Sequence, residues 1–236
     1  MKIKILFDKE SRDRSLRTGW GVSFLVNDTI LFDTGERGKW LIENMKNLSV
    51  DITKIKAVVI SHDHWDHRNG LWALLQKNHR IKVYACPHFA KRFKKRIQSC
   101  GGQLVESDPF ALVGNDVYTT GEIAGTYHFK DMPEQALVLK TQNGLAILTG
   151  CAHPGIVKII EHVKNNIPGK IFLVIGGFHL IGKHAKAIKG IIRNFRENGI
   201  EKVGPTHCTG KSAIGLFEKE YKGNFIGIKV GETIEI

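Results

Sequence analysis

The run Ala57-Val58-Val59-Ile60-Ser61-His62-Asp63-His64-Trp65-Asp66-His67 narrows what this chain can fold into more than any other feature. Its apolar start is short and continuous, the pattern of a strand covered on both faces. Its end, His62-x-His64-x-Asp66-His67, packs three imidazoles and a carboxylate into one short loop. Burying such groups without partners costs roughly 2–7 kcal/mol apiece, so packing alone does not explain them. Imidazole nitrogen and carboxylate oxygen suit zinc, and also iron or manganese. A loop at the end of a rigid strand is a common place for functional side chains. One tetrahedral ion cannot use all four groups and still keep the open position that catalysis needs, whereas two adjacent ions can.

Two ions need donors from farther along the chain. His153, in Thr149-Gly150-Cys151-Ala152-His153-Pro154-Gly155, and His207, in Gly204-Pro205-Thr206-His207-Cys208-Thr209-Gly210, are the candidates. Each lies just past an expected strand and before an expected helix. Periodicity predicts strands at Lys2 to Asp8, Gly21 to Val26, Thr29 to Asp33, Ala57 to Ile60 and Ile81 to Ala85. Helices are expected at Trp40 to Leu48, Leu71 to Lys77 and His88 to Ser99. The second half repeats the plan. A hairpin of Ala136 to Thr141 and Leu145 to Leu148 turns at Asn143-Gly144. Helices follow at Ile156 to Lys164, Lys183 to Glu197 and Ser212 to Tyr221. Strands follow at Ile171 to Ile175, at a short segment ending with Val203, and at Phe225 to Val230. Strands interleaved with helices in two similar halves imply an α/β fold, two sheets face to face with helices outside. No linker rich in Pro, Gly or Ser divides the halves, so residues 1–236 are read as one domain.

Composition limits the partners. The formal net charge is +12 over 236 residues, which favours anionic ligands. The densest basic stretch, Lys91 to Arg96, reads as a solvated helix face. Four cysteines form no C-x-x-C pair and no disulfide scaffold. The apolar N-terminus is too short for a signal-peptide core, and no apolar run approaches a membrane span. A cytoplasmic enzyme without a membrane partner is the expectation.

The strings Ile30-Leu31-Phe32-Asp33-Thr34-Gly35 and Val58 to His67 resemble the metallo-β-lactamase superfamily. Leu148 to Gly155, Ile175-Gly176-Gly177-Phe178-His179-Leu180 and Pro205 to Gly210 resemble the branch that includes the archaeal dihydropterin–ribofuranosylaminobenzene-phosphate synthase. The resemblance implies a four-layer αββα sandwich of two mixed sheets with outer helices. It implies two divalent ions, zinc before manganese or iron. His62 and His64 would hold the first ion, with His153; Asp66, His67 and His207 would hold the second. The position of the family's bridging aspartate is occupied by Cys151, a further candidate ligand, with Glu134 as an alternative carboxylate. Asp33 is either a ligand orienter or a turn former. Asp63 points away from the metals.

His179, after two glycines, is a candidate for binding substrate or passing protons, and with Asp66 it makes the candidate catalytic pair. Thr209, Gly210 and Lys211 open a helix and are a candidate phosphate anchor. They do not make a nucleotide-binding phosphate loop, because Gly204 stands one residue too early and Pro205 takes the required position. His79, His88, His128, His162 and His184 read as surface or packing residues. The expected function is a metal-dependent hydrolase acting on a small anionic, phosphorylated metabolite. Its alternatives are a synthase or transferase like the branch member named above, and a phosphodiesterase or nuclease. A nucleic-acid partner is disfavoured by the lack of an added clamp and by few aromatics. A di-iron redox protein and a non-catalytic metal scaffold are weaker rivals.

Overall fold

The computed structural model describes residues 1–236. In chain order the first half contains β1 (Lys2–Phe7), β2 (Ser23–Val26), β3 (Ile30–Phe32), α1 (Gly38–Asn47), β4 (Ala57–Val59), α2 (Trp65–Arg68), α3 (Leu71–Leu75), β5 (Lys82–Ala85), α4 (Lys91–Ser99) and β6 (Gln103–Glu106). The second half contains β7 (Ala111–Gly114), β8 (Val117–Thr119), β9 (Thr126–Tyr127), β10 (Lys130–Asp131), β11 (Leu137–Thr141), β12 (Gly144–Thr149), α5 (Ile156–Asn166), β13 (Ile171–Gly177), α6 (Ala185–Glu197), β14 (Lys202–Thr206), α7 (Lys211–Tyr221) and β15 (Thr233–Glu235).

One sheet has the order β15-β1-β2-β3-β4-β5-β6 and the other β14-β13-β12-β11-β8-β7. Each is antiparallel along one flank and parallel along the other: β3 to β6 run parallel, as do β12, β13 and β14. Successive strand residues face opposite sides, so each strand feeds two cores. Phe24, Val26, Phe32 and Val59 meet Leu137, Leu139, Ala146, Leu148, Leu173 and Ile175 between the sheets. Leu25, Leu31 and Val58 pack outward against Leu41, Met45, Leu74 and Phe93 of the first-half helices. Ile147 and Val174 pack outward against Ile159, Ile188 and Phe217 of the second-half helices. Three apolar interfaces make four layers, the αββα sandwich expected from the sequence.

Several boundaries differ from the expectation. Strand β14 continues past Val203 to Thr206. Its one neighbouring strand is β13, and an edge strand tolerates Pro205, which has no N–H to give. Phe225 to Val230 is not a strand; it touches the fold through isolated bridges at Phe225 and Val230, and β15 closes the chain. Helix α4 begins only at Lys91. Strands β6, β7, β9 and β10 lack a strong period-2 apolar signal, because they are short and half-exposed or exposed.

Candidate metal centre

Every chemically equipped loop leaves the C-terminal end of a parallel strand: β4 for residues 61–67, β12 for 150–153, β13 for 178–179 and β14 for 207–208. These ends lie at one edge of the sandwich, where α/β sheets characteristically bind ligands.

The first loop is anchored by Asp33. Ser61 donates its backbone N–H to Asp33 Oδ1 at 2.7 Å and its hydroxyl to Oδ2 at 2.7 Å. His67 Nδ1 donates to the same Oδ2 at 2.6 Å. With its hydroxyl proton committed to Asp33, Ser61 Oγ accepts from His62 Nδ1 at 2.8 Å. One carboxylate thus fixes the orientation of two histidines and turns their Nε2 atoms toward the neighbouring donors, His62 toward His64 and His67 toward His207, where a cation would take the place of the second His67 proton. Burial opposes charge on His67, but Asp33 outweighs it and pushes the imidazole up to about 9. Asp33 is therefore the orienter rather than only a turn former. Asp63 turns away, paired to Arg68 at 2.6 Å and to the backbone of Ala90.

The second half uses Glu134 in the same way. It accepts backbone N–H bonds from Cys151, Ala152 and His153 at 2.8, 2.8 and 2.9 Å, and His153 Nδ1 at 2.9 Å. Burial would raise Glu134, but His153 and the backbone donors hold it down at about 2. With its oxygens engaged behind His153, Glu134 is an orienter and not the alternative carboxylate ligand considered from sequence. His153 Nε2 is buried and has no hydrogen-bond partner, an orphan that a cation would satisfy.

Donor atoms within 4.8 Å of one another group as His62-His64-His153, as Asp66-His67-His207, and as His62-His67-Cys151 between them. Residues from four strand ends converge on one cleft, and His67 meets His207 across 140 positions of sequence. The donor set fits divalent cations. Burial and the neighbouring His153 depress His64 to about 4, so it presents a bare lone pair at neutral pH. Asp66 is held at about 2 by His207 and His67 despite burial, and is ionised. His207 differs from the other histidines. Gly21 N–H donates to its Nδ1 at 3.2 Å, which leaves the ring proton on Nε2 beside Asp66 Oδ2, 3.4 Å away. That proton must leave for the atom to bind a cation. A Cβ on Gly21, whose φ is +100°, would fall 1.8 Å from the Asp66 carbonyl oxygen, so only glycine allows this approach.

Four residues at these loops hold positive φ without being glycine: Asp33, Ala152, His179 and His207, at +56°, +63°, +51° and +49°. Such backbone costs about 1–3 kcal/mol apiece and gathers at functional sites. Here it breaks the in–out alternation and turns successive side chains toward one cleft.

The cleft measures about 450 Å³ and is lined by Trp20, His64, Trp65, Asp66, Tyr127, His128, Cys151, His153, His179, Ile181, His207 and Cys208. A cavity of about 550 Å³ between α6 and α7 is lined by Lys189, Arg193, Arg196 and Lys219 and holds none of the grouped metal donors. His179 is in the cleft, its ring 4.7 Å from that of His153, with Nδ1 buried and unpartnered. The phosphate-anchor expectation is corrected: Thr209 is fully buried and its hydroxyl accepts the Phe178 N–H, while Gly210 and Lys211 lie outside the cleft. His128, read from sequence as an ordinary residue, lines the cleft from the β9–β10 hairpin, as does Tyr127, whose ring meets His64, His153 and His179. Trp20 (40% exposed) and Trp65 (50% exposed) flank the mouth. The available signal for them was two large aromatics in polar loops. Nothing in the sequence brings residues 127 and 128 to this edge. His88 and His162 stay outside, bonded to Glu122 and to the Thr120 carbonyl. On α4, Phe93 and Ile97 are buried while Lys94 pairs with Glu106, a solvated helix with one packed face.

Comparison with known proteins gives three findings. The family model described as the metallo-beta-lactamase superfamily matches residues 21–187. The 7,8-dihydropterin-6-methyl-4-(beta-D-ribofuranosyl)-aminobenzene-5'-phosphate synthase of Methanocaldococcus jannaschii is 31% identical, over 91% of this chain and 89% of its own. A crystal structure described as a metal-dependent hydrolase of the beta-lactamase superfamily superposes with a TM-score of 0.85 at 26% identity, over 100% of this chain and 99% of that one.

Proposed function

This chain belongs to the metallo-beta-lactamase superfamily, and on that premise we propose that it is a metal-dependent hydrolase of a small anionic, phosphorylated metabolite. The observation that carries the reading is the pair of donor triads, with the orphaned Nε2 of His153, facing one cleft. His62, His64 and His153 would hold one divalent ion, Asp66, His67 and His207 a second, with Cys151 between them. Nitrogen, sulfur and one carboxylate suit zinc first, then iron or manganese. Bound there, the ions supply Lewis acidity.

The chain's own groups do the rest. Asp33 and Glu134 hold the imidazoles in one tautomer and orientation, which spares reorganisation during turnover. Ionised Asp66 lies at the cleft floor, able to accept a hydrogen bond from the attacking water. Contact with Cys208 raises His179 against the pull of burial, which favours its protonated form and suits it to pass a proton to the leaving group. A net charge of +12 draws anionic substrates toward the cleft. Both sheets supply donors to the same cleft, so residues 1–236 would work as one unit.

A second reading, a synthase or other transferase, is favoured by the aromatic rim. Trp20, Trp65 and Tyr127 around the mouth suit stacking on a flat ring, and a relative at 31% identity is named as a synthase of a ribofuranosyl-aminobenzene phosphate. The deciding experiment is a turnover screen of metal-loaded protein against phosphodiesters, esters, thioesters and lactams, with His64→Ala as the blank. Hydrolysis that disappears on chelation and in the blank supports the first reading. Turnover that survives both would sink it.

A further inference from the structure

The four cysteines fall into two kinds. Cys86 is buried in the helix-facing core of the first sheet, and burial pushes its thiol far up; Cys100 caps α4. These are packing residues. Cys151 and Cys208, only 4% and 6% exposed, instead place sulfur on the wall of the cleft. They leave β12 and β14, two strands separated by β13. Gly177 at the end of β13 lets them meet: a Cβ there would lie 2.7 Å from Cys208 Sγ and 3.2 Å from Cys151 Cα. The Cys208 thiol donates to the Cys151 carbonyl at 3.5 Å. The positive φ of His207 turns residues 207 and 208 to the same side. The donor atoms of Cys151, His207 and Cys208 then lie within 4.8 Å of one another.

We propose that Cys208 is a metal ligand which, with Cys151, forms a sulfur wall that makes the centre select a thiophilic ion such as Zn²⁺ or Co²⁺ over Mg²⁺. The proposal rests on the metal-centre reading above. Asp66 is the sole carboxylate in the donor groups, and neutral imidazoles leave most of the charge of divalent ions unbalanced. Two thiolates supply that balance, each thiol releasing its proton to solvent as its sulfur lone pair binds the ion. Thiolates favour zinc and related ions over magnesium, which prefers oxygen.

The test is Co²⁺ loading of metal-free protein, followed by absorption spectroscopy. Visible ligand-field bands report binding, and near-ultraviolet sulfur-to-cobalt bands report thiolates. Wild type is expected to show both. Cys208→Ser should lose about half of the near-ultraviolet intensity, one of two thiolates, and keep the visible bands. Cys151→Ser with Cys208→Ser should lose the near-ultraviolet bands entirely. Full near-ultraviolet intensity in Cys208→Ser overturns the proposal and leaves the metal centre standing. Absence of visible bands in wild type overturns both. Should Cys208→Ser fail to fold, X-ray absorption of zinc-loaded wild type decides: two sulfur ligands support the proposal, and one or none overturns it.

Discussion

The two halves of the molecule reach the same cleft by different means. The first half delivers His62, His64, Asp66 and His67 from one loop after β4, anchored by one carboxylate, Asp33. The second half delivers single residues or pairs from three strand ends, Cys151 and His153 after β12, His179 after β13, and His207 and Cys208 after β14. A contiguous motif needs only a local turn. A distributed one needs parallel register, close glycines and strained φ angles, all set by long-range contacts. The halves are therefore equal in chemistry and unequal in what holds the chemistry in place.

The sharpest way to break this comparison is to remove one donor from each half of the same triad. Asp66→Ala and His207→Ala should each cut metal-dependent turnover on the order of 10³-fold, about 4 kcal/mol in barrier, measured as kcat/KM at saturating metal. A loss in only one of them would show that the triad does not act as a unit.

Next in size is a tie between the halves. Asp8, at the end of β1, accepts the Thr206 hydroxyl at 2.9 and 2.8 Å on its two oxygens. Burial raises its carboxyl from 3.8 to about 7, against the pull of Thr206. The folded state thus holds this proton more tightly than the unfolded chain. The resulting contribution favours folding below about pH 4 and is lost as pH rises toward 7, by no more than about 4 kcal/mol. Denaturant titrations across that range should show the decline in wild-type protein stripped of metal, and a flatter profile in Asp8→Asn.

The two orienting carboxylates allow a matched test. Asp33→Ala and Glu134→Ala should each weaken metal binding by about 10–100-fold, read by competition with a chelator. Glu134→Ala should also lower thermal stability more, because it strands three backbone N–H groups where Asp33→Ala strands one. Equal stability losses would remove the claimed asymmetry. The smallest effect is expected at Ala152, whose φ is +63°. Ala152→Gly relieves that strain and should raise stability by about 0–1 kcal/mol, after the added freedom of the unfolded chain is subtracted. A clear loss would mean that the methyl's packing outweighs the strain.

Much of the architecture was legible because period-2 and period-3.6 apolar patterns are local consequences of strand and helix geometry. Ala57 to Ile60 and Ile171 to Ile175 fall where the pattern puts them. The cluster from His62 to His67 was equally plain, since its donors are neighbours in the chain. His153 and His207 were found because each follows a strand. Tertiary structure alone decided the rest. It turned Glu134 into a brace behind His153, spent the Thr209 hydroxyl on Phe178, and folded Tyr127 and His128 over the cleft. It also set the Cys208 thiol against Cys151 across β13. The division has one cause: a residue's own periodicity states which face it occupies, but which distant residue meets it there depends on strand register and backbone handedness, which only the packed fold determines.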